Sequence, residues 1–470
     1  MRTEHDLLGE KKLGEECYYG IHTLRALENF NLSGRSIHPK LVDAMVTVKK
    51  ACAMTNCEVG VLDKSIGTAI IEACDEILSG ALREQFVVDV MQGGAGTSAN
   101  MNANEVIANR AIELLGGKKG DYSLVHPLDH VNMSQSTNDV FPTAVRIAAI
   151  RLLKPVSELF ASLQTVLQEK EEEFSCILKV GRTQLQDAVP VMLGQEFGAW
   201  AQAVARDRWR LYKAEERLRQ VNLGGTAAGT GINAPKKYIF MVVEKLRELT
   251  GMGLARAEYM MDPTQNADVF VEVSSLLKTS AVNLSKIAND LRLLASGPRA
   301  GIGEIILPAV QAGSSIMPGK VNPVIPEAIN QIVFKVIGND TVISIAAQSG
   351  QLELNPFLPV IADNLFEILD LIRNGLETFI NRCIKGIRPD EERCRYLVEN
   401  SFTLCTALTS HIGYDKASEV SRVCIESGRT LREVIIEEGI LDEETLSSIL
   451  NPIDMTKPGI PGKKGGSWNE

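Results

Sequence analysis

The residues best suited to chemistry lie in a short loop at 313–323, which reads Gly-Ser-Ser-Ile-Met-Pro-Gly-Lys-Val-Asn-Pro. This loop combines two adjacent hydroxyls, Ser314 and Ser315, with the ammonium of Lys320 and the amide of Asn322. Its glycines allow unusual backbone angles and its prolines restrict them. The composition therefore favours a loop that closes over a small anion.

The sequence partly matches three familiar motifs, and none of the three matches supports a functional prediction. The loop is not a Walker A motif, because five residues separate Gly313 from Gly319 and Lys320 is followed by Val. Residues 94–99 fit the dinucleotide fingerprint and follow a strand-like stretch, but the chain after them is mostly helical. Ala-Ser-Gly at 295–297 is the tripeptide that some aromatic ammonia-lyases cyclise, and a tripeptide this short occurs readily by chance.

Hydroxyl and amide side chains recur in three further loops, each next to the start of a predicted helix. They are Thr97, Ser98, Asn100 and Asn102; Ser134, Gln135, Ser136, Thr137 and Asn138; and Arg182, Thr183 and Gln184. A single residue of this kind is ordinarily a helix N-cap. Several helix N-termini that converge can bind an anion, because their free N–H groups and dipoles point at it. The formal net charge of −10 is thus compatible with an anionic ligand.

Metal and thiol chemistry are not indicated. The six histidines form no HExxH motif, and the pair His126 and His130 is interrupted by Pro127, so no metal site is predicted. The nine cysteines include no CxxC pair, which is typical of free thiols in a reducing compartment. The general base must then be a serine, lysine, tyrosine or carboxylate.

The elements that position these loops are predicted to be helices, several of them unusually long. The long segments with helical periodicity are 140–174, which contains Pro142 and Pro155, and then 191–222, 263–296, 326–348 and 355–386. Shorter helices are expected near 40–59, 65–78, 103–115, 430–439 and 442–450. The chain before Pro39 is expected to be irregular, and 92–102, 132–143, 181–190, 222–235 and 297–326 are expected to be loops.

The 470 residues are too many for one small domain, and we predict three. They are an N-terminal domain at 1–139, a central long-helix bundle with the 313–323 loop at 140–389, and a small helical domain at 390–470. A mobile tail is expected at 457–470. The acidic net charge argues against nucleic-acid or membrane partners, and the charged N-terminus does not resemble a secretory signal, so a cytoplasmic protein is expected.

At these loops the sequence resembles the aspartase/fumarase superfamily. Residues 313–322 match its signature pattern GSSxxPxKxN at every fixed position, and 93–102, 132–143, 181–188 and 296–301 resemble its other blocks. Two features resemble the branch that deaminates aspartate. Residues 18–25 read Tyr-Tyr-Gly-Ile-His-Thr-Leu-Arg, and Gln184 stands where fumarases place a histidine.

The resemblance implies a mostly α-helical, three-domain lyase whose long helices form the core of a homotetramer. It implies reversible deamination of L-aspartate to fumarate and ammonium, without a required cofactor and with Mg²⁺ activation left open. Each active site would be shared by three subunits. The alternatives are a fumarate hydratase on the same fold and a catalytically silent structural relative of the lens type.

The resemblance also assigns roles. It makes Ser314 the base, used as an alkoxide. It places the β-carboxylate on Thr97, Ser136, Thr137 and Ser315, the α-carboxylate on Lys320 and Asn322, and the departing amine on Asn138, Thr183 and Gln184. Glu327 matches the position that hydrogen-bonds residue 184. His126 and Asp129 match part of a second anion site of fumarases, but Leu128 replaces its asparagine and leaves that site open.

Overall fold

The computed structural model describes residues 1–463 of the chain. The last seven residues of the predicted mobile tail, 464–470, lie outside the described residues. The helices are α1 (Ile21–Asn29), α2 (Pro39–Val59), α3 (Lys64–Leu78), α4 (Thr97–Leu114), α5 (Thr137–Glu173), α6 (Leu193–Leu218), α7 (Lys236–Thr250), α8 (Asp262–Gln265), α9 (Asp268–Leu294), α10 (Val324–Gln348), α11 (Leu358–Arg382), α12 (Glu391–Glu399), α13 (Cys405–Ile412), α14 (Tyr414–Ser427), α15 (Leu431–Glu437), α16 (Glu443–Ile449) and α17 (Pro452–Met455).

Strands are short and occur in pairs. They are β1 (Arg2–Asp6), β2 (Gly9–Leu13), β3 (Leu178–Thr183), β4 (Gln186–Met192), β5 (Gln220–Val221), β6 (Ala255–Arg256), β7 (Ile305–Ile306) and β8 (Arg388–Pro389). The pairs β1–β2, β3–β4 and β7–β8 are antiparallel, and β5–β6 is parallel. Two-stranded pairs of this size cannot form a core, so helices provide it.

The prediction of a mostly α-helical fold with long helices is confirmed. Each of the five long predicted segments contains one long helix, from α5 with 37 residues to α10 and α11 with 25 each. Helix α5 continues through both Pro142 and Pro155. Helices well above the usual length of about 11 residues need partners along their whole length, because isolated helices are only marginally stable.

Several expectations about local structure were wrong, among them the loops at 92–102 and 132–143, whose second halves are helical because α4 begins at Thr97 and α5 at Thr137. The first 38 residues are not irregular, since they contain the β1–β2 hairpin and helix α1. The expected loop at 181–190 belongs mostly to the β3–β4 hairpin. The strand-like stretch at 86–91 forms a single isolated bridge, from Asp89 to Ser36. In each case contacts with distant parts of the chain determine the secondary structure, which the local composition does not specify.

The chain divides into two compact units. Unit 1 comprises Met1–Glu158, Asp207–Val282 and Ile332–Asn374. In it α2 packs against α3 and α7, and the buried side chains include large aromatic rings. The hydroxyl of Tyr238, which is fully buried, lies 3.1 Å from the sulfur of Cys52. The interior of this unit is therefore held by helix packing.

Unit 2 comprises Leu159–Arg206, Asn283–Gln331 and Gly375–Glu470. Its apolar cluster joins α12 to α16 with the β3–β4 hairpin, because Val180 of β3 packs among the buried side chains of those helices. The Ser401 hydroxyl also donates to a carboxylate oxygen of Asp187 on β4, at 3.0 Å. The C-terminal helices thus support this hairpin directly.

Each unit combines three separate segments of the chain. The predicted domains are continuous segments, so the boundaries at 139 and 389 are not tested and stay predictions. In residues 1–463 no helix is both long enough and apolar enough to cross a membrane.

Candidate active site

A polar cluster in unit 1 joins the start of α4 to the start of α5. The Asn100 amide donates to the Thr137 hydroxyl oxygen at 3.0 Å and to the Asn132 side-chain oxygen at 3.2 Å. The Lys49 ammonium, fully buried on α2, donates to the side-chain oxygens of Asn132 and Gln135 at 2.8 and 2.9 Å. Thr137 accepts one hydrogen bond here and donates none to residues 1–463, so its O–H is available for a ligand.

Burial lowers the pKa of Lys49 to about 8. The carboxylate of Asp139, a residue near the start of α5, favours the charged form of Lys49 and partly offsets this lowering of the pKa. A cation under a pair of helix N-termini adds to their attraction for an anion. Sequence reasoning missed Lys49. The available signal was its position among Met45, Val48 and Cys52, on a helix face that is otherwise apolar.

Helix α5 begins with a reciprocal cap. The Asn138 N–H donates to the Ser136 hydroxyl oxygen at 3.2 Å, and the Ser136 N–H donates to a carboxylate oxygen of Asp139 at 2.9 Å. The other oxygen of Asp139 accepts the N–H groups of Gly224 and Thr226, both at 3.0 Å. Burial raises the pKa of Asp139 to about 6 despite these donors. The predicted residue Ser136 is therefore fixed in place by the cap.

Pro142 explains how Asn138 is held. A proline inside a helix has no N–H, so the carbonyl four residues earlier loses its helical partner. That carbonyl belongs to Asn138, and it accepts instead from the Asn222 amide at 3.0 Å. The Asn138 amide in turn donates to the Ala227 carbonyl at 2.7 Å. Asn138 is thus anchored to the 222–227 loop at both of its polar groups.

Thr97 begins α4 in an exposed position. Its hydroxyl donates to the Gly94 carbonyl at 2.7 Å, so it must turn away from Gly94 to donate to a ligand. The preceding Gly96 has φ +94° and faces Phe141, whose ring would lie 2.4 Å from an added Cβ. Only glycine fits this approach of α4 to α5.

The 313–323 loop in unit 2 is closed on itself. The Gly313 N–H donates to the Lys320 carbonyl at 2.8 Å, and the Asn322 amide donates to the Gly313 carbonyl at 2.7 Å. Within this closure the Ser314 hydroxyl oxygen accepts the N–H groups of Ile316 at 3.2 Å and Met317 at 2.9 Å. Two N–H donors stabilise negative charge on an oxygen, as a serine base requires.

Other predicted side chains of unit 2 have no partner within residues 1–463. The Lys320 ammonium and the Ser315 hydroxyl are exposed, and neither has a hydrogen bond or ion pair in the described chain. The carboxylate of Glu327, in the first turn of α10, likewise has no partner among these residues. The predicted bond between Glu327 and Gln184 is not present in this part of the chain and stays a prediction.

Thr183 and Gln184 lie at the tip of the β3–β4 hairpin. Thr183 pairs with Gln186, and the two residues between them form the turn. Gln184 has φ +54° and Leu185 has φ +62°. Both values belong to the mirror-image turn that suits two-residue hairpins and ordinarily favours glycine or asparagine. Side chains in this strained backbone are a feature of functional sites.

Glu105 of α4 binds the 18–25 segment through hydrogen bonds. The fully buried carboxylate of Glu105 accepts N–H groups from Gly20, His22 and Thr23 and the Thr23 hydroxyl, at 2.6 to 3.1 Å. Burial raises its pKa to about 7, whereas these four donors favour the charged form. Because all four groups donate, we interpret Glu105 as a carboxylate.

His126 of the suggested second anion site takes part in a local cap, and whether that site exists stays open. The His126 ring nitrogen Nδ1 caps the following turn by accepting the N–H groups of Leu128 and Asp129 at 3.2 and 3.1 Å. Within residues 1–463 no group of three or more His, Cys, Asp or Glu side chains is placed to hold a metal. A cavity of about 540 Å³ in unit 2, lined among others by Leu178, Arg395 and Leu431, contains none of the predicted residues.

Known proteins match this chain over nearly its full length. A family described as Lyase matches residues 9–338, and one described as Fumarase C C-terminus matches residues 404–457. The chain belongs to the aspartase/fumarase superfamily. An aspartate ammonia-lyase of a Bacillus species is 51% identical over 464 residues, which cover 99% of each chain. That of Escherichia coli K12 is 48% identical over 467 residues, covering 99% of this chain and 98% of the relative.

Two solved structures of this superfamily have the same fold as the chain. The cobalt-bound fumarate lyase:delta crystallin of Brucella melitensis has a TM-score of 0.95 at 50% identity, covering 97% of this chain and all of that one. The class II fumarase of Schistosoma mansoni has a TM-score of 0.93 at 34% identity, covering 97% and 99%. Identity is thus higher to the aspartate ammonia-lyases than to this fumarase.

Proposed function

We propose that the chain is an aspartate ammonia-lyase, which converts L-aspartate reversibly to fumarate and ammonium. The observation that carries this proposal is identity of 46 to 52% over nearly the whole chain to relatives named for that activity. Gln184 supports it, since the residue at this position is a histidine in fumarases. As members of this lyase family act on small dicarboxylates, the substrate is a small dicarboxylate.

The chemistry requires a base on one side of Cβ and charge stabilisation on the other. Removal of the Cβ proton places a second negative charge on the neighbouring carboxylate, so donors must already point at that group. Ser314 is the proposed base. The N–H groups of Ile316 and Met317 stabilise its alkoxide, and Lys320 adds a cation to the same loop.

The remaining predicted residues divide by their chemistry. Thr97, Ser136, Thr137 and Ser315 bring hydroxyl donors for the β-carboxylate, which gains charge during the reaction. Lys320 and Asn322 bind the α-carboxylate, and Asn138, Thr183 and Gln184 bind the amine. Gln184 does not titrate, so the amine leaves as ammonium without a strong acid at this position.

A homotetramer with shared active sites is the proposed assembly. Its support is exposed apolar surface: on α10, Phe334 is 65% exposed and Ile345 is 54% exposed. The 313–323 loop also exposes Ile316 by 83% and Val321 by 51%. Apolar side chains this exposed are typical of surfaces that another chain covers. The assembly would add further chains' loops to each site.

We propose no required cofactor, and Mg²⁺ is proposed only as an activator. The proposed substrate-binding side chains are hydroxyls, amides and one ammonium, and they include no carboxylate, the usual side-chain ligand of Mg²⁺. Assays with added Mg²⁺ and with a chelator measure this directly. A chelator that abolished turnover completely would contradict the proposal.

The deciding experiment follows fumarate by its ultraviolet absorbance, with L-aspartate and with malate as separate substrates. Turnover of aspartate alone is expected, and turnover of malate alone would instead identify a fumarate hydratase. Ser314→Ala is expected to lower kcat by at least about 10²-fold, the usual range for loss of a general base. Ser427→Ala, which removes an exposed hydroxyl on α14, is the control and is expected to keep full activity. Full activity in Ser314→Ala would overturn its role.

A further inference from the structure

We propose that Glu304 is a positioning residue for the amine end of the substrate, acting through the β3–β4 hairpin. Its side chain is fully buried, just before β7. One carboxylate oxygen lies 3.1 Å from the Lys179 ammonium, and both lie within 3.0 Å of the Arg182 nitrogen Nη1. We call these pairs of Glu304 with Lys179 and Arg182 the clamp. Because Arg182 directly precedes Thr183, the clamp lies one residue from the proposed amine-binding turn. This proposal rests on the proposed function.

A bulge in β3 makes this clamp possible. Side chains alternate between the two faces of a regular strand, so residues three apart, such as Lys179 and Arg182, point to opposite faces. The register of β3 against β4 shifts between Val180 and Arg182. The residue between them is Gly181, where an added Cβ would lie 2.5 Å from the Val189 carbonyl oxygen. The extra residue of a bulge re-aims the side chains beyond it, and both cations reach Glu304.

The residues of the hairpin tip, 183–187, are exposed. Leu185 is 69% exposed and lines a cavity of about 230 Å³ together with Lys179, Arg182 and Glu196. The turn residues Gln184 and Leu185 both have positive φ. A strained turn persists only when its surroundings hold it. Arg182, which lies next to the tip on β3, binds the buried carboxylate of Glu304.

The backbone of Glu304 is itself fixed at two points. Its N–H donates to the Leu294 carbonyl, which ends α9, at 3.0 Å, and its carbonyl accepts the Asp390 N–H at 2.9 Å. The chain then continues through β7 towards the 313–323 loop. Glu304 therefore connects the hairpin to the strand that leads to the proposed base.

The test uses the full-length enzyme in the amination direction, where ammonium and fumarate are varied separately. Glu304→Gln is expected to raise the KM for ammonium by about tenfold or more, because displaced binding groups lose their geometry. The KM for fumarate is expected to change by less than about threefold, since its carboxylates bind elsewhere. A merely structural role would lower the amount of active enzyme without separating the two KM values.

Glu196→Gln is the matched control. Glu196 accepts from Lys179 at 2.7 Å but has no bond to Arg182, so it tests the loss of a partly buried carboxylate without loss of the clamp. It is expected to leave the KM for ammonium within about threefold of the wild-type value. An equal rise in both variants would overturn the proposal.

Arg182→Met is a second variant, for the case in which Glu304→Gln does not fold. In Arg182→Met the Glu304 carboxylate keeps its ion pair with Lys179. This variant is also expected to raise the KM for ammonium selectively. Equal rises in the KM values for ammonium and fumarate, or no rise in either, would contradict the proposal. Wild-type turnover of aspartate is measured first. Its absence would contradict the proposed function, whereas normal wild-type turnover without the separation would contradict only the role of Glu304.

Discussion

Lys49 places a positive charge beneath two helix starts without exposing it to solvent. The charge is held by the oxygens of Asn132 and Gln135, and the same cluster reaches Thr137 through Asn100. A buried cation is unfavourable on its own and becomes useful where an anion gathers charge during a reaction. The β-carboxylate of the proposed substrate is such an anion.

Lys49→Met is expected to remove a pH dependence of stability. The pKa of Lys49 is lowered from 10.5 to about 8 in the folded chain. Between these pH values the unfolded chain binds more protons, so the free energy of unfolding rises with pH. The wild type should gain up to about 3 kcal/mol relative to the variant between pH 8 and 10.5.

The measurement is urea unfolding of both proteins from pH 7 to 10.5 at one protein concentration. Lys50→Met is the control, because Lys50 is the next residue and pairs with Asp75 nearer the surface. It is expected to follow the wild-type profile. A constant difference between wild type and Lys49→Met across this range would contradict the prediction.

At the scale of elements, the β3–β4 hairpin was the least predictable part of the candidate site. Its turn is Gln184-Leu185, a pair that lacks the Asn-Gly signal by which such turns are recognised. The two strands were therefore predicted as loop, and Thr183 and Gln184 are candidate residues by resemblance alone. The hairpin forms because Val180 packs into the C-terminal cluster and Glu304 binds two cations of β3.

Leu185→Gly is expected to stabilise the chain by about 0.5 to 1 kcal/mol. A non-glycine residue in the left-handed region is strained by about 1 to 2 kcal/mol, and part of the gain is offset by the greater freedom of glycine when unfolded. Val189→Gly on β4, at a position 48% exposed, is the control and is expected to destabilise. Both are measured by chemical unfolding. A lower stability for Leu185→Gly would show that the side chain packs in the assembly.

The long helices were predicted well because their periodicity is a local property of the sequence. For α5 the prediction of 140–174 corresponds to Thr137–Glu173, and the proline at 142 did not end the helix. What the sequence left open were contacts between distant segments. The Asn222 amide donates to the Asn138 carbonyl, 84 positions away. The Glu304 carboxylate accepts from Arg182, 122 positions away. No periodicity or motif in a single sequence signals such pairs.

At the scale of the whole molecule, the predicted site residues fall into separate groups. Thr97, Ser136, Thr137 and Asn138 belong to unit 1, and the hairpin tip and the 313–323 loop belong to unit 2. The exposed residues Phe334, Ile337 and Ile345 of α10 lie on one helix face, since they are 3 and 8 positions apart. An apolar face of this kind is expected to pack against another copy of the chain.

Ile345→Lys is expected to break the proposed tetramer. A charged side chain in an apolar helix interface loses its hydration on assembly, so association is weakened. Activity should fall at least about tenfold, because sites shared between subunits are incomplete in the separated chains. Particle mass from light scattering and turnover of aspartate are measured together.

Ile453→Lys is a closely matched control, because Ile453 is also an isoleucine 54% exposed, on α17. It is expected to keep the wild-type mass and activity. A fully active monomer of Ile345→Lys would contradict the shared sites, and an unchanged mass would show that this face is not the interface.

The packing of Val180 among the C-terminal helices has a practical consequence for producing the protein. A fragment that stopped before Asp390 would lose the partners of Val180, Asp187 and the Glu304 carbonyl together. It would uncover apolar side chains on a strand edge, a common source of aggregation during expression. Expression designs that shorten this chain should retain at least residue 461, because the Thr456 carbonyl accepts from Gln195 and the Pro461 carbonyl lies 2.8 Å from the His411 nitrogen Nε2.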